Sequence, residues 1–105
     1  MSDLKNLATL YSDLLSEAEA LPPLFKTLVQ QSKRFVDLTN TASEELHEAA
    51  SAKDYRKGSL LEKAGGSIEA SSEPFRRMSK SLERIAGIKT RILAIKKQIS
   101  EELSA

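Results

Sequence analysis

Eight basic residues stand close together in the C-terminal half of the chain and form its most concentrated chemical feature. They are Arg76, Arg77, Lys80, Arg84, Lys89, Arg91, Lys96 and Lys97. Residues 74–100 contain Glu83 as their single acidic residue, whereas residues 1–20 contain Lys5 against four acidic residues. Such cations bind phosphates and carboxylates. The pattern predicts that the two ends of the chain pair with each other or that the basic end binds an anionic partner; a solvated, partly salt-bridged face is the alternative.

A row of isoleucines runs through the same basic segment. Its members are Ile85, Ile88, Ile92, Ile95 and Ile99, and Leu7 and Leu14 form a second such row near the start of the chain. Steps of three and four residues place each row on one face of an α-helix. Water solvates an apolar face poorly, so another surface must cover it. We predict that these residues bind a partner; the alternative is that they form a core within the chain.

The composition excludes several kinds of chemistry. The chain has no cysteine, so disulfides, thiolate zinc sites and thiol nucleophiles are absent, and its one histidine cannot form a multi-histidine metal site. The acidic residues follow no spacing that indicates a buried catalytic pair. We therefore expect no enzymatic activity, no catalytic residues, no cofactor and no metal.

The first predicted helix covers residues 3–20 and is capped by the side chain of Ser2. Its apolar face is read as Leu4, Leu7, Tyr11, Leu14, Ala18 and Leu21, and Leu10 and Leu15 widen it. Pro22 and Pro23 end this helix, because proline lacks an amide hydrogen and disfavours helical backbone in the residue before it.

The second predicted helix covers residues 23–53, and a turn follows at 54–59. Its apolar face is read as Phe25, Leu28, Val29, Phe35, Val36, Leu38, Ala42, Leu46 and Ala49. Gly58 fits the left-handed position after a helix, and Ser59 with Glu62 matches a capping box that opens the next helix.

The third predicted helix covers residues 60–103, with an interruption expected near 65–74, where Gly65, Gly66 and Pro74 lie. Its face is read as Phe75, Met78 and Leu82, followed by the isoleucines. Counting outward from Gly58 places Leu82 against Phe35. If the first helix continues past the prolines, Ile99 meets Ala18, and Lys96 and Lys97 lie near Glu17 and Glu19. If it folds back, a compact three-helix bundle forms.

These elements predict an all-α fold. It is a single domain over residues 1–105, built as an antiparallel helical hairpin or coiled coil with an additional N-terminal helix that completes a three-helix bundle. The first residues, Met-Ser-Asp-Leu-Lys, lack the pattern of a signal peptide, so we expect a cytoplasmic location.

The sequence predicts a non-enzymatic protein–protein interaction module. It would serve as a structural or adaptor subunit that self-associates or docks into a larger helical assembly, and replacing Ile92 and Ile95 by Asp should abolish that association. Binding of the basic residues to an anionic membrane surface is the alternative. Nucleic acid is disfavoured as a partner, because only 5% of the residues are aromatic and few bases could stack on them.

Overall fold

The computed structural model of the protein describes residues 3–104, which are helical throughout apart from short connections and contain no strand. Three helices follow one another: α1 (Leu4–Glu19), α2 (Leu21–Ser51) and α3 (Asp54–Ser104). The all-α prediction is confirmed. The contacts divide the chain into two compact units, unit 1 (residues 1–26 and 81–105) and unit 2 (residues 27–80). The expectation of a single domain stays a prediction.

The start of α1 is fixed by Asp3. Its backbone is extended, and its carboxylate oxygen accepts a hydrogen bond from the backbone N–H of Lys5 at 3.0 Å. This capping bond pairs an amide of the first turn that has no partner within the helix. The predicted cap, Ser2, lies outside the described residues.

The proline pair lies inside α2, and α1 and α2 are separated by Ala20 alone. Pro22 and Pro23 are the second and third residues of α2. The first amides of a helix have no intrahelical acceptor, so the missing N–H groups of these prolines cost no hydrogen bond there. The predicted break is therefore found two residues earlier than the sequence suggested, and it is short.

The predicted turn at 54–59 is wrong. The connection between α2 and α3 consists of Ala52 and Lys53, and α3 begins at Asp54. No glycine in the described residues has a positive φ, so Gly58 is not a left-handed cap and the Ser59–Glu62 capping box does not start a helix. A helical glycine costs only about 1 kcal/mol relative to alanine. The ion pair of Asp54 with Lys57 in the first turn supports the earlier start.

The predicted interruption near residues 65–74 is also wrong, because α3 continues through it. Pro74 lies in the middle of the helix with its side chain fully buried. It cannot donate the usual hydrogen bond to the carbonyl four residues earlier. In the preceding turn, the hydroxyls of Ser71 and Ser72 donate to backbone carbonyls of Ile68 and Glu69. The burial of Pro74 offsets part of the cost of its missing hydrogen bond.

In unit 2, α2 and α3 run antiparallel and meet along a seam, defined here as the buried and half-buried positions that recur at steps of three and four. The rings of Phe35 and Phe75 lie 5.6 Å apart, and the hydroxyl of Ser67 donates to the Glu45 carboxylate at 2.5 Å. The α2 side of this seam is Leu28, Gln31, Phe35, Leu38, Ala42, Glu45 and Ala49. The α3 side is Leu60, Ala64, Ser67, Ser71, Pro74 and Met78.

In unit 1, α1 and the first turns of α2 run antiparallel to the end of α3. Leu7, Leu10 and Ile99 form a buried cluster, and Leu14 and Ile95 pack against it. The seam of unit 1 has Leu7, Leu10, Leu14, Glu17, Leu21 and Leu24 on one side. The other side is Ser81, Ile85, Ile88, Ile92, Ile95, Ile99 and Glu102. Steps of three and four are typical of coiled coils.

A three-helix bundle is not confirmed. In a bundle whose first helix folds back, α1 would run parallel to α3, and its start would lie far from the end of α3. Instead the Asn6 side chain donates to the Glu102 carboxylate at 2.8 Å, and Arg91 donates to Glu17 at 2.8 Å. The first helix therefore covers the last turns of α3, which was the other arrangement expected from the sequence.

The predicted register is wrong by about two helical turns. Phe35 contacts Phe75 rather than Leu82. Ile99 packs on Leu7 and Leu10 rather than Ala18. Because the chain reverses before Asp54 and not at Gly58, every residue of α3 meets an earlier residue of the facing helix than the count from Gly58 predicts.

Replacing Gly58 by Ala should raise the free energy of unfolding by about 1 kcal/mol, because a helical glycine carries an entropic cost that alanine avoids. An added Cβ meets no heavy atom within 4 Å. Urea unfolding followed by circular dichroism measures the change. Gly66→Ala, which is equally unobstructed, is the matched control and should shift stability the same way. A loss of stability in Gly58→Ala alone would place a left-handed turn at Gly58.

Candidate partner-binding surface

The residues predicted to bind a partner lie in the seam of unit 1. The exposed fraction is 3% for Ile88 and 7% for Ile99, and Leu7 is also buried. Ile85, Ile92, Ile95 and Leu14 are half-buried. In this structure these side chains pack between helices of the same chain. Their role in partner binding stays a prediction, and an aspartate at position 92 or 95 would disturb unit 1 as well as any association.

A second apolar row, which we call the outer stripe, lies on the same helices beside the seam and is exposed. On α1 and the start of α2 its members are Leu4, Ala8, Tyr11, Leu15, Ala18, Pro22 and Phe25. They recur at steps of four and three, as the seam does, and none carries a charge. Single exposed apolar residues are ordinary, but a periodic row of them marks a surface that another molecule covers.

The outer stripe has a counterpart on α3. In unit 1 it consists of Leu82, Ala86, Lys89, Leu93, Lys96, Ser100 and Leu103, all exposed. Lys89 and Lys96 are its only charged members. The large apolar members are Leu82, Leu93 and Leu103, and one small residue and one lysine lie between each pair; Leu93 has an exposed fraction of 53%.

The two parts of the outer stripe border one groove in unit 1. The groove has a volume of about 400 Å³, and Tyr11 of α1 faces Lys96 and Leu103 of α3 across it. The seam residues Leu14 and Ile99 also line it. The apolar rows of both helices therefore lie on the same side of unit 1.

The opposite side of unit 1 is polar. Its hollows are lined by Asn6, Asp13, Ser16, Glu17, Arg91, Gln98, Glu101 and Glu102, among others. The Glu17–Arg91 ion pair closes part of this side, with the Glu17 side chain about three-quarters buried. Unit 1 thus has one side suited to water and one side suited to an apolar surface.

Unit 2 repeats the outer stripe without a charged residue. On α2 it is Val29, Ser32, Val36, Thr39, Ser43, Leu46 and Ala50, and on α3 it is Leu61, Gly65, Ile68, Ser72, Phe75 and Ser79. Val29, Ile68 and Phe75 are about half exposed or more. Serine, threonine or glycine occupies about half of these positions on both helices, so the stripe is weaker here than on α1.

The eight basic residues do not share one face. Arg76 and Arg77 both bind the Glu73 carboxylate, and Arg91 binds Glu17. Lys89 and Lys96 lie in the outer stripe, and Arg84 lies on the other side of α3, beside Gly87 and Arg91. The anionic-partner role predicted for Arg76, Arg77, Lys80, Arg84, Lys89, Arg91, Lys96 and Lys97 stays a prediction.

The Glu73 cluster shifts two pKa values. Hydrogen bonds from Arg76 and then Arg77 lower the pKa of the Glu73 carboxyl, and the hydrogen bond to Glu73 raises the pKa of Arg76. A lowered carboxyl pKa means that the cluster stabilises the folded chain above the pKa of the unfolded glutamate, and that this contribution disappears as the pH falls through the folded value. All three side chains are exposed to water, so the effect on stability is small.

Other kinds of site are not found in the described part of the chain. Within residues 3–104, no group of three or more histidine, aspartate and glutamate side chains is placed to hold a metal ion. None of the helices in that range is long and apolar enough to cross a membrane.

No family model, no curated protein and no solved structure matches this chain.

Sequence reasoning mixed the two rows. The face read for the first helix takes Leu7, Leu14 and Leu21 from the seam but Leu4, Tyr11 and Ala18 from the outer stripe. Both rows are apolar at the same spacing, so neither stands out. Spacing alone does not separate them, and the row of Leu7, Leu10 and Leu14 reaches Leu21 only if a glutamate, Glu17, is accepted in the seam.

Replacing Ile88 by Ala should lower the free energy of unfolding by about 2–4 kcal/mol, because the change leaves a cavity in the seam. Leu93→Ala, on the exposed outer stripe five residues later, should change it by less than about 0.5 kcal/mol. Chemical denaturation at low protein concentration measures both. Equal losses in the two variants would show that Leu93 is as deeply packed as Ile88.

Proposed function

We propose that this protein is a non-enzymatic protein–protein interaction module, a structural or adaptor subunit of a larger helical assembly, and that it binds through the outer stripe. One observation carries the proposal. The seam is filled by the chain's own helices, yet the same helices expose a second apolar row with the same spacing.

The outer stripe of unit 1 exposes large apolar side chains. Leu4, Tyr11, Leu15 and Phe25 are each about half exposed or more, and Leu82, Leu93 and Leu103 match them on α3. Full burial of an exposed side chain of this size is worth roughly 1.5–3 kcal/mol, and most of these side chains would gain about half of that because they are already half buried. A partner must therefore cover several members of the row together to offset the entropic cost of association.

The periodicity of the stripe supports a helical partner. Steps of three and four keep an apolar row in line with another helix, whose side chains fit between those of the row. Helices that carry two such rows are those that contact more than one other helix, as in bundles of three or four. The chain then contributes a helical hairpin of coiled-coil type to an assembly made with copies of itself or with other proteins.

An anionic membrane surface is less well supported. A helix that lies on a membrane gathers its basic residues along the border of one apolar face. Here Arg76, Arg77 and Arg91 are held by Glu73 and Glu17.

The test is the size of the native assembly that contains the chain. The tagged full-length protein is expressed in the cells it comes from, and the extract is separated by size exclusion. We expect elution well above the mass of the monomer. The variant Leu15→Glu/Leu93→Glu should elute as a monomer with unchanged helical circular dichroism, because two buried, unpaired charges prevent docking.

The matched control places the same two charges on the neighbouring residues. Ser16 and Ala94 are exposed and border the polar side of unit 1. Ser16→Glu/Ala94→Glu should leave the assembly intact. If the unmodified protein elutes as a monomer, or if both double variants behave alike, the outer stripe is not a docking surface and the proposal is wrong.

A further inference from the structure

The charges in and beside the outer stripe of unit 1 are unequal. Lys89 and Lys96 lie in the stripe. Residues three positions before a stripe residue lie next to it on the helix and form the border of the stripe. The charged residues of this border in unit 1 are Lys5, Glu19, Lys26, Glu83 and Lys97, and all of them are exposed. Five cations and two anions therefore lie in or beside the outer stripe of unit 1, in a chain whose net charge is only +1. Of these, Lys96 lines the apolar groove.

We infer that the occupant of this groove is an amphipathic α-helix of a different protein, whose apolar heptad row is bordered by aspartate and glutamate. The inference rests on the proposed function and adds the identity of the partner surface. The helix would lie along Tyr11, Leu14, Ile99 and Leu103, with its acidic residues beside Lys89, Lys96 and Lys97.

The shape of the groove favours a helix over a flat surface. It lies between two antiparallel helices, and the seam residues Leu14 and Ile99 are part of its lining. A ridge of side chains from a third helix packs between two helices and reaches such seam residues, which is how an amphipathic helix binds in a groove. A bilayer takes up side chains that project outward from a helix, whereas Leu14 and Ile99 belong to the packed seam.

The charge distribution argues against a second copy of the chain as the occupant. Two copies joined through this groove would bring their surplus cations together, and like charges at an interface disfavour the pairing. A partner with acidic borders gains from the same charges. Lys96 lines the groove itself, so its ammonium group would approach the bound helix most closely.

The experiment uses the full chain and two synthetic helical peptides. Both peptides carry the same apolar heptad row; one has glutamate at the bordering positions and the other has lysine. Fluorescence anisotropy measures their binding. We expect the acidic peptide to bind at least about tenfold more tightly than the basic one, and to lose that advantage as salt rises from about 0.05 to about 0.5 M.

Reversing the charge of three lysines tests whether the groove itself, and not the net charge of the protein, attracts the acidic peptide. The variant Lys89→Glu/Lys96→Glu/Lys97→Glu should invert the preference between the two peptides. Lys63→Glu/Lys80→Glu/Arg84→Glu makes the same change in net charge at exposed residues outside the stripe and should keep the preference for the acidic peptide. Equal effects of the two variants would overturn the inference, because the attraction would then be one of net charge alone.

Three further results would overturn it. The first is equal or better binding of the basic peptide, and the second is a dimer of the unmodified chain in light scattering with no binding of the acidic peptide. The third is sedimentation with phosphatidylserine-containing vesicles by a chain that does not bind the acidic peptide. In each case the native assembly shows whether the proposed function survives: if Leu15→Glu/Leu93→Glu still disrupts it, only the identity of the partner is wrong.

Discussion

The packing of Ile99 against Leu7 and Leu10 is the contact on which the rest of unit 1 depends. It fixes α1 along the last turns of α3, so that the basic end and the acidic end of the chain lie together. It also determines which apolar residues are buried within the chain. With the isoleucines covered by α1, the row that includes Tyr11 and Leu93 is left facing water, and the groove between α1 and α3 is formed. The hydrogen bonds Asn6–Glu102 and Arg91–Glu17 then join α1 to α3 on the polar side of unit 1.

The helical content of this protein could be predicted from its sequence because long stretches carry helix-forming residues and few prolines or glycines. The ends of the helices could not. Gly58 has the local features of a helix stop, but a glycine in a helix costs little, and α3 begins at Asp54 and passes through it. Pro74 has the features of a helix start, yet it is buried in the seam, where its ring replaces an apolar side chain. At Pro74 tertiary packing outweighs a local preference.

The candidate surface was hidden for a different reason. Sequence periodicity finds one apolar row when the opposite face of a helix is polar. Here two rows at the same spacing share each helix, and polar residues such as Glu17, Gln31 and Glu45 lie in the buried one. A reading based on apolarity therefore assigns Tyr11 and Val36 to the core and passes over Glu45, whose carboxylate accepts the Ser67 hydroxyl in unit 2. The basic residues stood out in the sequence. Only the structure shows that Arg76 and Arg77 bind Glu73, that Arg91 binds Glu17, and that Lys89 and Lys96 lie in the outer stripe.

The seam of unit 2 contains two polar residues of α2, Gln31 and Glu45, which are fourteen residues or two heptads apart. Sliding α2 along α3 by a single heptad would move the Glu45 carboxylate away from the Ser67 hydroxyl and opposite Leu60 or Pro74, so a half-buried carboxylate would lose its hydrogen-bond donor. Sliding by two heptads would restore a polar position along α2, but the two-residue connection at Ala52 and Lys53 is too short to take up that displacement. One hydrogen bond between the helices and the length of one loop thus fix the register of two apolar surfaces that could otherwise pack in several alignments.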